Sequence, residues 1–299
     1  DLHRVDRRQR QMCIRDRGFV DEWHHTRMGE YTYACSDFKF KKGLVSATKT
    51  SGHTLQIADG LWLDKKFKAA MMKSIAQSEL DRKRFVYSDI GFILLQQVVE
   101  AVTGKTLDAY LVSEFYRPMG LEHTLFQPLN RYKKADIMPT AANDYLRRQD
   151  LCGYVHDEAA AFMGGVSGNA GLFSTAQELG KIYQMILNEG ELDGKRYLRP
   201  ETCRIFTTEK SAVSHRGLGY DKPNLKDPKA NACASSAPAS VYGHTGFTGT
   251  CAWVDPENDL VYIFLSNRLC PDAWNGKLNS MKIRQAVQEV IYQSLYTPE

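Results

Sequence analysis

The first short segment with residue types suited to chemistry is Tyr87-Ser88-Asp89, which directly precedes an apolar run over residues 90–103. The periodicity of that run predicts a helix, and the start of a helix carries a positive potential that favours anions, including tyrosinate. A tyrosine with a lowered pKa can act as a general base. The same residues also fit a structural role, in which Ser88 or Asp89 only caps the helix, and both interpretations remain open.

The second segment is a glycine- and threonine-rich stretch that precedes a predicted β-hairpin: Gly243-His244-Thr245-Gly246-Phe247-Thr248-Gly249-Thr250. Glycine near a strand edge lets a ligand approach the backbone closely, and N–H groups exposed there can stabilise an oxyanion. His244 adds a group that titrates near neutral pH. A tight turn without any catalytic role is the alternative interpretation.

The elements around these segments predict an α+β fold, with an antiparallel sheet flanked by helices and a helical subdomain over roughly residues 90–200. Helices are predicted over 66–77, over 90–103 with Gly104 as the C-cap, from Thr106 through Phe115, from Ser174 or Thr175 to about Asn188, and from Pro200. Residues 131–160 lack a clear period and are predicted as loop. Four glycines make residues 163–173 a loop governed by the backbone.

The last part of the chain predicts a hairpin followed by a helix. The strands are expected over residues 250–255 and 260–266, joined by Pro256-Glu257-Asn258-Asp259. An amphipathic helix over 277–295 should bury one apolar face, formed by Ile283, Val287, Val290 and Ile291.

Composition excludes several classes of protein. The 299 residues are 43% hydrophobic and 25% charged, as in an ordinary globular protein, and no apolar run is long enough to span a membrane. A net charge of +4 without a basic stripe gives no reason to expect a nucleic-acid partner. Seven scattered cysteines without a C-x-x-C, and no His-x-His or His-Glu-x-x-His, predict neither a metal site nor a cofactor.

Residues 1–17 differ from the rest of the chain. They contain crowded arginine and aspartate without a helical or strand period, and no signal peptide is visible there. We expect this segment to be extraneous to the fold or disordered, and residues 18–299 to form the domain.

The order of several segments resembles the serine β-lactamase and DD-peptidase superfamily. The segments are Tyr87-Ser88-Asp89 followed by IGFILLQQVVEAVTGKTLDAYL, then GLFSTAQEL, then Gly-His-Thr-Gly before the hairpin. Over roughly residues 35–296 the chain looks most like the β-lactamase-related domain fused to glycoside hydrolase family 3 β-N-acetylglucosaminidases in Bacteroidota. The resemblance implies a periplasmic or cell-envelope location and a small-molecule or peptidoglycan-derived substrate.

The resemblance also implies a mechanism, acyl transfer through a serine, and it assigns roles to residues. The catalytic residues are Tyr87, Asp89, His244 and Phe247, and the backbone N–H of Phe247 forms half of the oxyanion hole; Ser88, Thr245 and Gly246 contact substrate. Asp89 departs from the family, in which an amide is commoner at this position. An ionised carboxylate cannot donate a hydrogen bond, so the resemblance does not carry over the bond that the amide donates to substrate.

The nucleophile of this superfamily lies in a Ser-x-x-Lys at the start of a buried helix. Two such strings precede Tyr87, Ser36-x-x-Lys39 and Ser46-x-x-Lys49, and neither is followed by an apolar helical period. Both lie closer to Tyr87 than the family spacing. We therefore expect the true nucleophile to be missing from this chain, and a core face or sheet edge to be uncovered.

Two functional hypotheses follow. The first is a serine hydrolase domain that acts on an amide or ester, possibly derived from cell wall, and that is inactive as this chain alone. The second is a catalytically inactive hydrolase-like domain that binds peptidoglycan fragments or packs on a partner glycosidase domain.

Overall fold

The computed structural model describes residues 25–28, 31–34, 40–77, 88–212, 214–273 and 275–296. The predictions for residues 1–17, Ser36 and Tyr87 lie outside these residues. The chain forms two compact units, of which the first comprises Asp1–Leu111 and Leu125–Phe173 and the second Val112–Thr124 and Ser174–Glu299. Residues 90–200 therefore contribute to both units.

The strands of the first unit are short and pair antiparallel. They are β1 (His25–Met28), β2 (Tyr31–Ala34), β3 (Val45–Ser46), β4 (His53–Ala58), β5 (Leu61–Asp64), β6 (Leu125–Phe126), β7 (Pro139–Asp144), β8 (Gln149–Cys152) and β9 (Leu172–Phe173). Strand β5 lies between β3 and β4, and the other pairs are β1 with β2, β6 with β9 and β7 with β8.

The helices of the first unit are α1 (Phe67–Ala76), α2 (Ile90–Thr103), α3 (Leu107–Leu111) and α4 (Glu158–Phe162). Helix α2 ends as predicted at Gly104, whose φ of 66° is left-handed. The helix predicted from Thr106 to Phe115 begins at Leu107, and a π-helical turn, Val112–Tyr116, continues it into the second unit.

The core of the first unit joins its small sheet to three helices. Ile57 and Leu63 of the β3–β5–β4 sheet, Ile93 of α2 and Phe162 of α4 are buried in one cluster. Phe67 of α1 packs its ring on Phe162 with 5.4 Å between the ring centroids. Such burial stabilises the unit by roughly 2 kcal/mol per large apolar side chain.

The prediction that residues 131–160 form only loop is wrong. This stretch contains β7, β8 and α4, and the β7–β8 ladder shifts register between Pro139 and Ala141 and again between Ala141 and Asp144. The irregular register interrupts the alternation of apolar and polar residues on which the recognition of a strand depends. Pairing with the neighbouring strand, rather than local propensity, forms this hairpin.

The second unit is built around an antiparallel sheet in the order β12–β13–β14. Its elements are α5 (Ala176–Leu187), β10 (Glu191–Leu192), β11 (Lys195–Arg196), α6 (Pro200–Thr208), β12 (Tyr242–Thr245), β13 (Cys251–Asp255), β14 (Leu260–Phe264), α7 (Lys277–Ser280) and α8 (Ile283–Tyr296). In the register, His244 pairs with Ala252, and Cys251 pairs with Phe264. The predicted hairpin is therefore confirmed.

Helices cover the β12–β14 sheet. Gly180 of α5 lies within reach of Ile263 of β14, and the Tyr262 hydroxyl of the same strand donates to the Arg284 carbonyl of α8 over 2.9 Å. Successive side chains of a strand point to opposite faces, so α5 and α8 flank the sheet on different sides. The predicted α+β class, with an antiparallel sheet between helices, is confirmed.

The predicted final helix differs from the structure in two ways. It is interrupted after α7, where Lys282 adopts a left-handed φ of 50°, and it buries a different face from the one predicted. Val287 and Val290 are 40% and 63% exposed, so the prediction that they pack inward is wrong, whereas Ile291 packs against the core of the second unit as predicted.

The buried face of α8 is instead formed by Arg284, Gln288 and Tyr292, four residues apart and 9%, 1% and 1% exposed. Each of these side chains makes a hydrogen bond to a group outside the helix, as described for Arg284 below. Gln288 Oε1 accepts from the Ala234 N–H at 2.8 Å, and the Tyr292 hydroxyl donates to Asp255 at 2.8 Å. Polar groups paired in this way can be buried at little cost.

Candidate active site

The segment from His244 to Thr250 leaves β12, turns tightly, and returns as β13. The Gly246 N–H donates to the Thr250 carbonyl at 2.7 Å, and the Gly249 N–H donates to the Gly246 carbonyl at 3.1 Å. We call these residues the 244–250 turn. The two bonds fix the turn at the end of the sheet, with His244, Gly246 and Phe247 partly exposed.

Glycine is required where β12 meets its neighbours. A Cβ on Gly243 would lie 2.1 Å from the Ala252 carbonyl oxygen and 2.7 Å from the Trp253 ring. A Cβ on Gly246 would lie 2.1 Å from Thr250 Oγ1. These glycines therefore allow close packing of protein atoms against the backbone. The sequence had suggested instead that glycine here lets a ligand approach the backbone.

His244 lies in a charged cluster formed by a distant part of the same unit. Arg216 Nη1 lies 3.0 Å from His244 Nε2, and Arg216 Nη2 lies 3.4 Å from Asp221 Oδ2. His215 Nε2 contacts the other Asp221 oxygen at 2.9 Å. Asp221 is itself buried and forms a backbone bridge to Gly243, which holds the cluster against the edge of β12.

The electrostatics of this cluster keep His244 neutral. Burial lowers the pKa of His244, and the Arg216 guanidinium lowers it further, while the Thr245 carbonyl and Asp221 act in the opposite direction. The net effect is a pKa below the ordinary histidine value. A neutral imidazole offers one donor and one acceptor.

Two arginines bind carbonyl groups of the 244–250 turn. Arg284 Nη1 donates to the Thr250 carbonyl at 2.9 Å and to the Gly246 carbonyl at 3.3 Å. Arg268 Nε donates to the Phe247 carbonyl at 2.6 Å, and its guanidinium lies 4.4 Å from the centre of the Phe247 ring. Arg268 thus engages the turn itself.

Ser88 and Asp89 lie in the first unit, at the start of α2. Asp89 occupies the N-cap position without a side-chain capping bond, whereas Ser88 Oγ accepts from the Ile90 N–H at 3.3 Å. Tyr87 lies outside the described residues. Of the two residues considered as caps, only Ser88 makes a capping hydrogen bond. The catalytic role of Asp89 stays a prediction.

The glycine-rich loop over residues 163–173 packs on α2 at Phe92 and Gln96. The Gly168 N–H donates to Gln96 Oε1 at 3.2 Å, and Gln96 Nε2 donates to the Val166 carbonyl at 3.3 Å. A Cβ on Gly168 would lie 2.1 Å from the Phe92 carbonyl oxygen, so the loop can approach the helix only with glycine. The prediction of a loop therefore holds for residues 163–171, whereas Leu172–Phe173 form strand β9 through pairing with β6.

Ser46 does not begin a helix. It ends the two-residue strand β3, paired with Trp62, and its Oγ accepts from the Thr48 N–H at 3.3 Å. The Lys49 ammonium lies 5.5 Å from the centre of the Trp62 ring. This environment differs from the helix start that a serine activated by the lysine of its own Ser-x-x-Lys requires.

The structure thus brings together His244, Thr245, Gly246 and Phe247 in the second unit and places Ser88 and Asp89 in the first. It adds Arg216, Asp221 and Arg284, which sequence reasoning missed. The string RGLGYDKP contains Arg216 and Asp221 but has no spacing that indicates a site. Only the folded contact with β12 reveals it.

Within the described ranges, no group of three or more histidine, cysteine, aspartate or glutamate side chains is arranged to hold a metal ion. Over the same part of the chain, every helix is too short or too polar to cross a bilayer.

Comparison with known proteins identifies the family of the chain. The sequence model described as "Beta-lactamase" matches residues 47–284. A "Putative D-alanyl-D-alanine carboxypeptidase" of Escherichia coli (strain K12) is 34% identical over 264 residues, covering 84% of this chain and 60% of the relative. A protein of the same description from Salmonella gallinarum (strain 287/91 / NCTC 13346) is 32% identical and covers 71% of this chain and 52% of its own length.

The fold is also found among solved structures. "EstCE1, a hydrolase with promiscuous acyltransferase activity" superposes with a TM-score of 0.51 at 18% identity, covering 80% of this chain and 64% of that chain. The chain spans 60% or less of these two curated relatives. With a family match that extends over most of its residues, this chain belongs to the beta-lactamase family.

Proposed function

We propose that this chain is a β-lactamase-related serine hydrolase domain that acts by acyl transfer on an amide or ester, with a cell-wall peptide as the substrate class. The observation that carries the proposal is the 244–250 turn, which presents a glycine-lined backbone beside a neutral histidine. The description of the Escherichia coli and Salmonella relatives supports a D-alanyl-D-alanine substrate and a cell-envelope location.

In the proposed reaction, a serine hydroxyl attacks the carbonyl carbon of the substrate, and the Phe247 N–H donates to the oxygen that becomes negative. The amide or ester bond then breaks, the amine or alcohol leaves with the proton that the serine gave up, and water hydrolyses the acyl-serine. Tyr87 assists transfer of the serine proton, while Ser88, Thr245 and Gly246 contact substrate. His244, whose two ring nitrogens bond to Arg216 and to the Thr245 carbonyl, supports the strand of the oxyanion site without adding a charge. Asp89 takes the position where relatives commonly have an amide.

We further propose that the attacking serine is not Ser46 and is not supplied by this chain. The support is the strand position of Ser46 and the engagement of Lys49 with Trp62. The proposed fusion to a glycoside hydrolase family 3 domain rests on the sequence resemblance alone.

A fluorescent penicillin tests both the proposed acyl transfer and the proposal that the attacking serine is not in this chain. Incubated with the purified chain, it should give no covalent adduct in intact-mass spectrometry, whereas expression together with the upstream reading frame should restore one. An adduct on this chain that disappears in Ser46→Ala would identify Ser46 as the nucleophile. Saturable binding of peptidoglycan fragments, with no adduct in either form, would support the inactive binding domain instead.

A further inference from the structure

The strongest unassigned feature is the buried polar face of α8, which begins with Arg284. A guanidinium that is 9% exposed is costly to bury, and its charge must be compensated by polar partners. Its partners are the carbonyls of Gly246 and Thr250 and, through Nη2, Asn279 Oδ1 at 3.1 Å. Burial lowers the pKa of Arg284, but an arginine remains charged at neutral pH.

The contact with the Gly246 carbonyl has a geometric consequence for the next residue. The Gly246 C=O and the Phe247 N–H belong to one planar peptide group, and in a trans peptide they point in opposite directions. Arg284 holds the carbonyl on one side, so the Phe247 N–H is directed to the other side. A cation at the carbonyl also polarises the peptide group and strengthens its N–H as a donor.

The neighbouring contacts keep this peptide plane from rotating. The Gly246 carbonyl also accepts from the Gly249 N–H, and the Thr250 carbonyl accepts from both Gly246 N–H and Arg284. Arg284 itself lies in the first turn of α8, where Tyr262 binds its carbonyl. The orientation of one backbone N–H is thus set by a side chain from the C-terminal helix.

We propose that Arg284 is a positioning residue of the oxyanion site, which acts through the Gly246–Phe247 peptide and does not touch substrate. This inference rests on the proposed function for its catalytic meaning, since it is there that the Phe247 N–H binds the oxyanion. Its structural content, the orientation and polarisation of one peptide group by Arg284, stands independently of any acylation.

The test uses the full chain labelled with ¹⁵N-phenylalanine, which gives 13 backbone signals at most. Phe247→Leu identifies the signal of Phe247. In Arg284→Met this signal should move upfield in both dimensions by more than its line width, because the peptide loses its polarising cation. Arg284→Lys keeps the positive charge but replaces the guanidinium with an ammonium that has fewer donors. It should shift the Phe247 signal less and in the same direction, and it replaces the methionine variant in the test if that variant does not fold.

Gln288→Leu is the matched control, because it removes a buried hydrogen bond one turn further along the same helix without contacting the turn. Its Phe247 signal should stay within a line width of wild type. An unmoved Phe247 signal in the folded Arg284 variant, or an equal shift in Gln288→Leu, would overturn the inference. Because the readout needs no acylation, a shift in the Arg284 variants would still support this inference if no penicillin adduct formed even with the upstream reading frame present, and that result would refute only the hydrolase proposal.

Discussion

Arg216 donates from Nη1 to Nε2 of His244 over 3.0 Å. A guanidinium has no acceptor, so Nε2 must be unprotonated, and the proton of the neutral ring therefore lies on Nδ1. Nδ1 is 2.8 Å from the Thr245 carbonyl, which accepts that proton in a hydrogen bond. One arginine from a distant loop thus selects the tautomer of the histidine at the proposed site.

The first prediction concerns the pH dependence that follows from this contact. The folded-state pKa of His244 is below its unfolded value of about 6.5, so the unfolded chain binds the extra proton first. The free energy of unfolding should therefore rise with pH between the folded pKa and about 6.5. Above about 6.5 the contribution of His244 should be constant. Urea unfolding from pH 5 to 8 measures this slope, which His244→Asn should reduce.

The second prediction concerns Glu178, whose carboxylate accepts from Thr124 Oγ1 at 2.6 Å and from the N–H groups of Glu122 and His123. Burial raises its pKa, but the hydrogen bonds from Thr124 and His123 outweigh burial and leave the pKa below 4.5. We expect Glu178→Gln to lower the free energy of unfolding by about 2 kcal/mol at pH 7.

The sign of the Glu178 effect can be checked by acidification. A depressed folded pKa contributes stability above the unfolded pKa, and that stability is lost as the pH falls through the folded pKa. The difference between wild type and Glu178→Gln, measured by urea unfolding, should therefore shrink from pH 7 towards pH 3. A constant difference over this range would contradict the hydrogen-bonded carboxylate.

The third prediction compares two glycines in different surroundings. Gly243→Ala places a methyl group 2.1 Å from a backbone oxygen and should destabilise the protein by about 3 kcal/mol. Gly91→Ala, in the first turn of α2 with no atom within 4 Å of the new Cβ, should stabilise it by about 0.5–1 kcal/mol. Thermal unfolding of both variants measures the contrast, and equal melting temperatures would show that the β12–β13 fit is looser than described.

The fourth prediction concerns Asp157, which begins α4. Its Oδ1 accepts from the Ala160 N–H at 2.8 Å and from Asn169 Nδ2 at 3.0 Å, joining the helix to the glycine-rich loop. Asp157→Ala should lower the free energy of unfolding by about 2 kcal/mol, because a buried cap and a hydrogen bond to the loop are both lost. Asp157→Asn keeps an acceptor and should cost less; urea unfolding at pH 7 compares them.

Sequence reasoning succeeded where the signal was local. The C-cap of α2 is Gly104, as predicted, and the N-cap of α5 is Thr175, one of the two residues predicted, because these residue types satisfy backbone groups within one turn. Strand β14, Leu260–Phe264, lies within the run predicted over 260–266 from its apolar and β-branched residues. These elements need no information from the rest of the chain.

It failed where a residue is used by a distant segment. Arg284, Gln288 and Tyr292 have the polar groups of a solvent-facing stripe, yet they are buried because carbonyls, an N–H and a carboxylate of other segments require partners. Arg216 and Asp221 became site residues only through the bridge to Gly243. The spacing of residues cannot reveal such pairings, because the partner is set by tertiary structure.

The close packing of Gly243 against the Trp253 ring gives the molecule an internal optical probe. Trp253 is 2% exposed and lies in β13 directly opposite Gly243, so its indole emits from a dry environment. Any ligand or substitution that lifts β12 from the sheet would let water reach this ring and shift its fluorescence to longer wavelength. In a variant whose other three tryptophans are replaced by phenylalanine, movement at the 244–250 turn can therefore be followed without attaching a dye.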